Sequence, residues 1–339
     1  MSAPLSASAL ASCTLCPRAC SVARVSGQTG VCGQGAQARL ARAALHFWEE
    51  PPISALAGSG TVFFSGCPLH CVYCQNASIA DGSVGREVSV QRLAQIFLEL
   101  QARGANNINL VTPTHFVPQV CEALDVARSG CVRPRGEVLE GIAAHPEVFP
   151  FARPDDATRL ELPVVYNTGG YESAETIEAL AGHVDVFLTD FKYASSEVAA
   201  RYSHAPDYPQ AASVALDAMF ELAGEPCFTL DSAQGVYLMQ RGIIVRHLLL
   251  PDNLADSFAV MRLLAAKPYA TQLWLSLMSQ YTPMPSVGQR FPELARDVDE
   301  DDYLALVDYA LELGFENSFM QKGGAAEESF IPAFDYEGV

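Results

Sequence analysis

The feature that most constrains this chain is its rhythm of short apolar runs and helically periodic segments. "TVFF", residues 61–64, is a β-prone run that stops at Ser65-Gly66. After Ser89, residues Leu93, Ile96, Phe97 and Leu100 recur at helical spacing, and Gly104 supplies the stop. "NINLV", 107–111, reads as the next strand. "FVPQVCEALDVAR" reads as the next helix, with Val117, Val120, Cys121 and Leu124 on one face. "LPVVYN", "VDVFLTDF", "GIIVRHLLL" and "TQLWLSLM" continue the strands, and helical stretches separate them. The last of these, "DEDDYLALVDYALELG", opens with acids that complement a helix dipole. About six β/α units result, and successive units of this kind build a parallel sheet.

Two stretches break the rhythm. Residues 1–60 read as a cysteine-rich start and a linker-like segment with Pro51, Pro52, Gly58 and Gly60. The opening "MSAPLSASALASC" lacks a basic n-region and reads as a flexible end. Residues 128–159, rich in Gly, Pro and charge, read as a surface insertion, serving as a lid or a docking surface. The barrel proper is expected over 61–320, and 321–339 as a C-terminal tail.

Half of the 339 residues are hydrophobic, enough for a sizeable core, yet no run is long enough to span a membrane. Lys and Arg total 21 against 39 Asp and Glu, a formal charge of −18. Such a field repels polyanions on average, so nucleic acid is not an expected partner, and without a spanning run neither is a membrane.

Ten cysteines without a secretory signal suit a reducing, cytoplasmic setting and thiol chemistry rather than disulfides. Seven fall in two clusters. "GCPLHCVYCQN" sets Cys67, Cys71 and Cys74 at C-x3-C-x2-C on the loop that leaves the first strand. The carboxyl ends of parallel strands are where functional groups gather. Soft thiolates favour iron–sulfur clusters and zinc, and three of them leave one iron of a four-iron cluster open. A zinc site and a chance spacing are the alternatives. "CTLCPRACSVARVSGQTGVC" sets Cys13, Cys16, Cys20 and Cys32 at C-x2-C-x3-C-x11-C. Four thiols match a closed zinc site or a second iron–sulfur cluster; unligated thiols or disulfides are the other possibilities. Of the scattered three, Cys121 reads as a core thiol, and Cys131 and Cys227 carry no assignment.

The triad, with Tyr73 just before its last cysteine, resembles the radical S-adenosylmethionine (SAM) superfamily. "NINLVTPTHFVPQ", "LPVVYNTGGYES", "TDFKY", "YSHAPDYP", "GIIVRHLLLP" and "LMSQYTP" extend the resemblance to a branch related to pyruvate formate-lyase activating enzymes, over residues 61–283. The resemblance implies a partial (β/α)6 TIM-like barrel, open on one side, with the four-cysteine appendage at its amino terminus. It implies a 4Fe–4S cluster on Cys67, Cys71 and Cys74. SAM would be chelated by the open iron and cleaved reductively, and the 5′-deoxyadenosyl radical would abstract hydrogen from a partner.

Carried over residue by residue, Tyr73 matches a position near the adenine, and simple loop packing explains it otherwise. Asp190 and Lys192 match an acid-x-lysine pair that contacts SAM; a local ion pair is the alternative. Arg246 interrupts a run that should be buried on both faces, so a carboxylate must meet it, either that of SAM or that of Asp190. His247, on the other side of that strand, reads as a packing histidine. Asn167 and Thr168 resemble a polar pair near the ribose or an adjacent cation. "TPTH", 112–115, stands where many members carry a Gly-Gly-acid motif for the SAM amino group. Thr112 is left as its replacement, and His115 as a candidate substrate contact.

The expected partners are a protein substrate, such as a glycyl-radical enzyme, and an electron donor. A radical SAM enzyme acting on a small molecule or another macromolecule is the alternative. A zinc-stapled interaction protein without catalysis is the third possibility.

Overall fold

The computed structural model describes residues 7–320 and 332–339. Residues 1–6 of the expected flexible start and 321–331 of the expected tail lie outside the described residues.

Among the described residues ten strands form a single sheet system: β1 Ala38–His46, β2 Ser59–Phe64, β3 Arg86–Val88, β4 Ile108–Val111, β5 Val164–Thr168, β6 Val186–Asp190, β7 Cys227–Asp231, β8 Val236–Leu248, β9 Trp274–Met278 and β10 Ser318–Met320. Their order is β10-β9-β8-β6-β5-β4-β2-β1-β3, with β7 paired to β8. Every pairing from β2 to β10 along that order is parallel; β1, β3 and β7 join antiparallel. Helices alternate with the parallel strands, as at Val90–Ala102, Val117–Ser129, Tyr208–Ala223, Leu254–Ala265 and Glu300–Glu312. The two ends of the order do not pair, so the barrel is partial and open, as the rhythm and the resemblance imply.

Strand alternation sorts the core. Phe64, Leu110 and Ile108 point outward beneath the helices with Phe97, Val120 and Leu124. Val165, Val186, Leu188 and Ile244 point inward and close around Ile53 and Met239. Ile53 comes from the turn Pro51–Ser54, which plugs the inside of the sheet near the amino-terminal end of β2. Among the described residues no helix is long and apolar enough to cross a membrane.

Four strands escaped the periodicity. β1, "ARLARAALH", is rich in Ala and Arg, which have little strand preference, and it lies in the stretch read as linker. It is a strand because its backbone pairs with β2 from His46↔Ser59 to Leu40↔Phe64. β7 pairs with an amino-terminal extension of β8, and the connection turns where Gly235 N–H donates to Asp231 O at 2.8 Å. β3 and β10 are three-residue strands, too short to show a period.

The 128–159 segment is packed rather than loose. Its helix, Gly136–Ala144, sets Val138 and Ile142 against Ala102 and Ala157. Arg153 N–H donates to Ala102 O at 2.9 Å, and Leu160 N–H to Ala127 O at 3.0 Å. Ala102 ends the helix before β4 and Ala127 lies in the last turn of the helix after it, but only the first of these helix ends leads directly into a strand's amino terminus. The contacts of Ala102 and of Gly104, which abuts Phe151, put this part of the segment at the end opposite the strand carboxyl termini, where it cannot serve as a lid. Residues 332–339 run beside β1, with Arg42 paired to Asp335 and Glu337.

Candidate functional site

The loop after β2 starts from a position only glycine tolerates. Gly66 has φ +85°, and a Cβ there would meet the Cys32 carbonyl oxygen at 2.5 Å. The backbone then carries Cys67, Cys71 and Cys74, all free and partly buried. Cys67 Sγ accepts from Leu69 N–H at 3.4 Å, and Cys71 Sγ from Ser203 Oγ at 2.9 Å. Burial, and then the neighbouring Cys71, push the Cys67 thiol up to about 11 and the Cys74 thiol up to about 12. Buried thiols in such company keep their protons until a cationic centre takes the thiolate charge. The donor set therefore fits a cluster chemically. Among the described residues no three His, Cys, Asp or Glu side chains converge closely enough to hold a single metal ion. A cluster spreads its irons and takes one thiolate on each, so its ligands need not share one ion.

Tyr73 turns away from the inside of the sheet. Its hydroxyl shares a 2.6 Å hydrogen bond with that of Tyr193, which bonds Ser203 Oγ at 2.7 Å. Its ring stands edge-on to Tyr202 and Tyr281. Loop packing accounts for it in this arrangement.

A cavity of about 460 Å³ lies inside the curved sheet. Its wall takes Phe63 and Val111 from one half of the strand order, Ser276, Met278 and Phe319 from the other, and Gln75 and Asn76 from the cysteine loop. Arg246 and Asn167 face into it, and Arg246 Nη2 donates to Asn167 Oδ1 at 2.6 Å. Asp190 is held between two cations: Arg246 Nε donates to Oδ1 at 2.8 Å and Lys192 Nζ to Oδ2 at 2.5 Å. Burial works to raise the Asp190 carboxyl, but Arg246 and Lys192 outweigh it and hold it below the usual range. Burial likewise opposes the charge on Lys192, yet Asp190 and then Cys71 lift it to about 12. Lys192 thus sits electrostatically between the thiol loop and the carboxylate.

The remaining sequence-derived residues divide. Thr168 follows Asn167 and so faces the opposite side, where its hydroxyl donates to Glu172. Thr112 takes φ +57°, unusual for a β-branched residue, and its N–H donates to Asn167 O at 2.8 Å. His115 is no substrate contact from this cavity: it is 1% exposed, on the far side of β2, with Nε2 2.7 Å from Ser65 O. His247 is a packing histidine, its ring nitrogens bonded to Phe191 O and Ser257 Oγ at 2.7 and 2.9 Å. Cys121 is a core thiol on its helix, whereas Cys131 and Cys227 are exposed.

Cys13, Cys16, Cys20 and Cys32 line one small pocket together with Arg24 and His115. Burial first, and neighbouring charges including Cys32 and Cys20, push the Cys16 thiol up to about 12. This lobe is docked on the triad loop: Arg18 Nε donates to Pro68 O at 2.9 Å, and His70 Nε2 lies 2.8 Å from Val31 O.

Sequence reasoning missed Glu49 and Glu50. Glu50 is buried and Glu49 half-buried in the cavity wall, and desolvation raises both carboxyls against the pull of Arg246. Glu49 Oε2 lies 3.6 Å from Arg246 Nη1, and Oε1 accepts from Asn109 Nδ2 at 3.0 Å. Their signal was two adjacent acids leading into Pro51-Pro52 within an apolar stretch.

The site is thus a thiol triad on the carboxyl-end loop of an open parallel barrel, and the residues that follow it, Gln75 and Asn76, line a polar cavity inside the sheet. The sequence model of the Radical SAM superfamily matches residues 61–222, so a domain of that superfamily is detected over just under half of the chain. That domain implies SAM and a 4Fe–4S cluster and supports SAM-cleaving radical chemistry. An uncharacterized protein of Methanocaldococcus jannaschii is 24% identical over 211 residues, covering 62% of this chain and 49% of that protein. The chain thus spans about half the length of this relative.

Proposed function

We propose that the chain is a radical SAM enzyme of the activating-enzyme type, which abstracts hydrogen from a protein substrate such as a glycyl-radical enzyme. The observation that carries it is one cavity shared by the cysteine loop, through Gln75 and Asn76, and by Arg246 and Asn167 at the strand carboxyl ends. A cluster held by Cys67, Cys71 and Cys74 beside this cavity would supply the electron, and SAM the primary radical. The chain's own residues bind and orient. Arg246 offers a guanidinium fork to a carboxylate, with Asp190 and Glu49 as its partners until then. Lys192 and Asp190 link that fork electrostatically to the thiol loop. Among the described residues the two ends of the strand order do not pair, which supports a barrel open to a large partner. A one-electron donor is the second partner in this proposal, and free thiols suit a reducing, cytoplasmic compartment.

A small-molecule substrate is the second reading. The cavity volume supports it, lying within the range of ligand pockets, and so do Glu49 and Glu50, which suit a cationic group.

The test is anaerobic reconstitution with iron and sulfide, then reduction with SAM present. 5′-Deoxyadenosine should appear, and Cys71→Ala should abolish it. An intact cluster with background product would count against radical chemistry. Colourless protein holding only zinc would favour a stapled interaction protein. A glycine-centred radical signal from an added glycyl-radical enzyme separates the two substrate readings.

A further inference from the structure

Two buried groups beside the amino-terminal thiols, one on the barrel and one in the lobe, lack the partners their chemistry calls for. The first is His115. Its Nε2 lies 2.7 Å from the carbonyl oxygen of Ser65. A carbonyl only accepts, so Nε2 carries the hydrogen and Nδ1 keeps a lone pair. Nδ1 is buried and has no hydrogen-bond partner. His115 is the single histidine among the residues lining the pocket that Cys13, Cys16, Cys20 and Cys32 also line. An imidazole that gives one N–H to a backbone carbonyl while its other nitrogen stays bare is the arrangement of a metal-ligating histidine.

The second group is Arg24, 1% exposed. Its guanidinium donates to the carbonyls of Gln34, Gly35 and His115, and Nη1 lies 3.8 Å from Cys13 Sγ. Among the described residues no carboxylate pairs with it. A buried cation requires a counter-charge, and the one beside it is a thiolate set.

We propose that the amino-terminal thiols form a metal centre in which His115 Nδ1 is a ligand in place of one of the four thiols and Arg24 balances the thiolate charge. The metal is of the borderline-soft class that takes sulfur and imidazole together, zinc or iron. Binding turns the thiols, which line the wall without converging on a point, inward about χ1. Through Nε2 the same ring holds Ser65, two residues before Cys67, so the imidazole joins this centre to the triad loop.

The test isolates this centre in the full-length chain with Cys67→Ala, Cys71→Ala and Cys74→Ala. It is independent of whether SAM is cleaved. Metal analysis of anaerobically purified or reconstituted protein distinguishes zinc from iron. X-ray absorption at the edge of the metal found should show a nitrogen scatterer beside the sulfur shell, for zinc at roughly 2.0–2.1 Å against about 2.3 Å for sulfur. His115→Ala in that background should remove the nitrogen shell. Where His115→Ala fails to fold, the nitrogen shell in the chain that retains His115 decides the matter. A sulfur-only shell, or absence of bound metal, overturns the proposal. Arg24→Met should lower metal stoichiometry at least twofold; unchanged stoichiometry removes the charge-balancing role.

Discussion

Arg246 and Asp190 are direct partners across neighbouring parallel strands. Their Cα positions are in register between β8 and β6, and Nε donates to Oδ1 at 2.8 Å. The guanidinium also reaches Asn167 and lies near Glu49, so one cation organises three acceptors inside the sheet. Replacing it by an apolar side chain leaves Asp190 and Glu49 facing each other without that charge. Arg246→Met should cost about 3 kcal/mol or more in urea denaturation, because breaking a buried pair strands its partner. Arg246→Lys should cost less but lose the fork. A midpoint unchanged by both substitutions would mean the pair is not a structural keystone.

Glu172 gives a pH dependence with a definite sign. It is buried behind β5, where Thr114 Oγ1 donates to it at 2.6 Å, and burial raises its carboxyl from 4.5 to about 7. Between those values the native chain holds a proton that the unfolded chain has released. Stability therefore falls as pH rises from 4.5 to 7, by roughly 3 kcal/mol from this group, and its contribution is flat above. Glu172→Gln should flatten that portion of the stability profile. An equal slope in both proteins, by denaturation at several pH values, would refute it.

Gly66→Ala tests the junction between the two cysteine sets. A Cβ would stand 2.5 Å from Cys32 O and 2.7 Å from Gln34 Cγ, at a φ that alanine resists. Destabilisation on the order of 2 kcal/mol is expected. Iron retention after reconstitution should fall with it. Full retention with native stability would show that the two loops move independently.

Ser203→Ala removes the hydroxyl that donates to Cys71 Sγ at 2.9 Å. A hydrogen bond to a ligating sulfur draws charge from a cluster, so its loss should lower the reduction potential of the reconstituted centre. Redox titration followed by EPR measures this directly; a potential that rises or stays fixed contradicts the assignment of Cys71 as a cluster ligand.

Periodicity alone exposed the parallel strands β2, β4, β5, β6, β8 and β9, since their burial on both faces leaves an apolar run bounded by turn residues. It could not expose β1, whose alanines and arginines become a strand only by pairing with β2. The thiol triad was legible because its ligands are neighbours in sequence. Glu49 was not legible, because its role depends on Asn109 and Arg246, 60 and 197 residues away in the chain.

By itself the sequence determined a β/α repeat and two thiol clusters of fixed spacing, both local patterns set within a few residues. The tertiary structure alone decided which side of the sheet each polar residue faces. It sent Asn167 into the cavity and Thr168 away from it, and turned His115 from a cavity residue into a neighbour of four distant cysteines. The physical reason is that strand alternation inverts a side chain with every residue, while the partner it then meets is chosen by sheet order and loop packing across long separations.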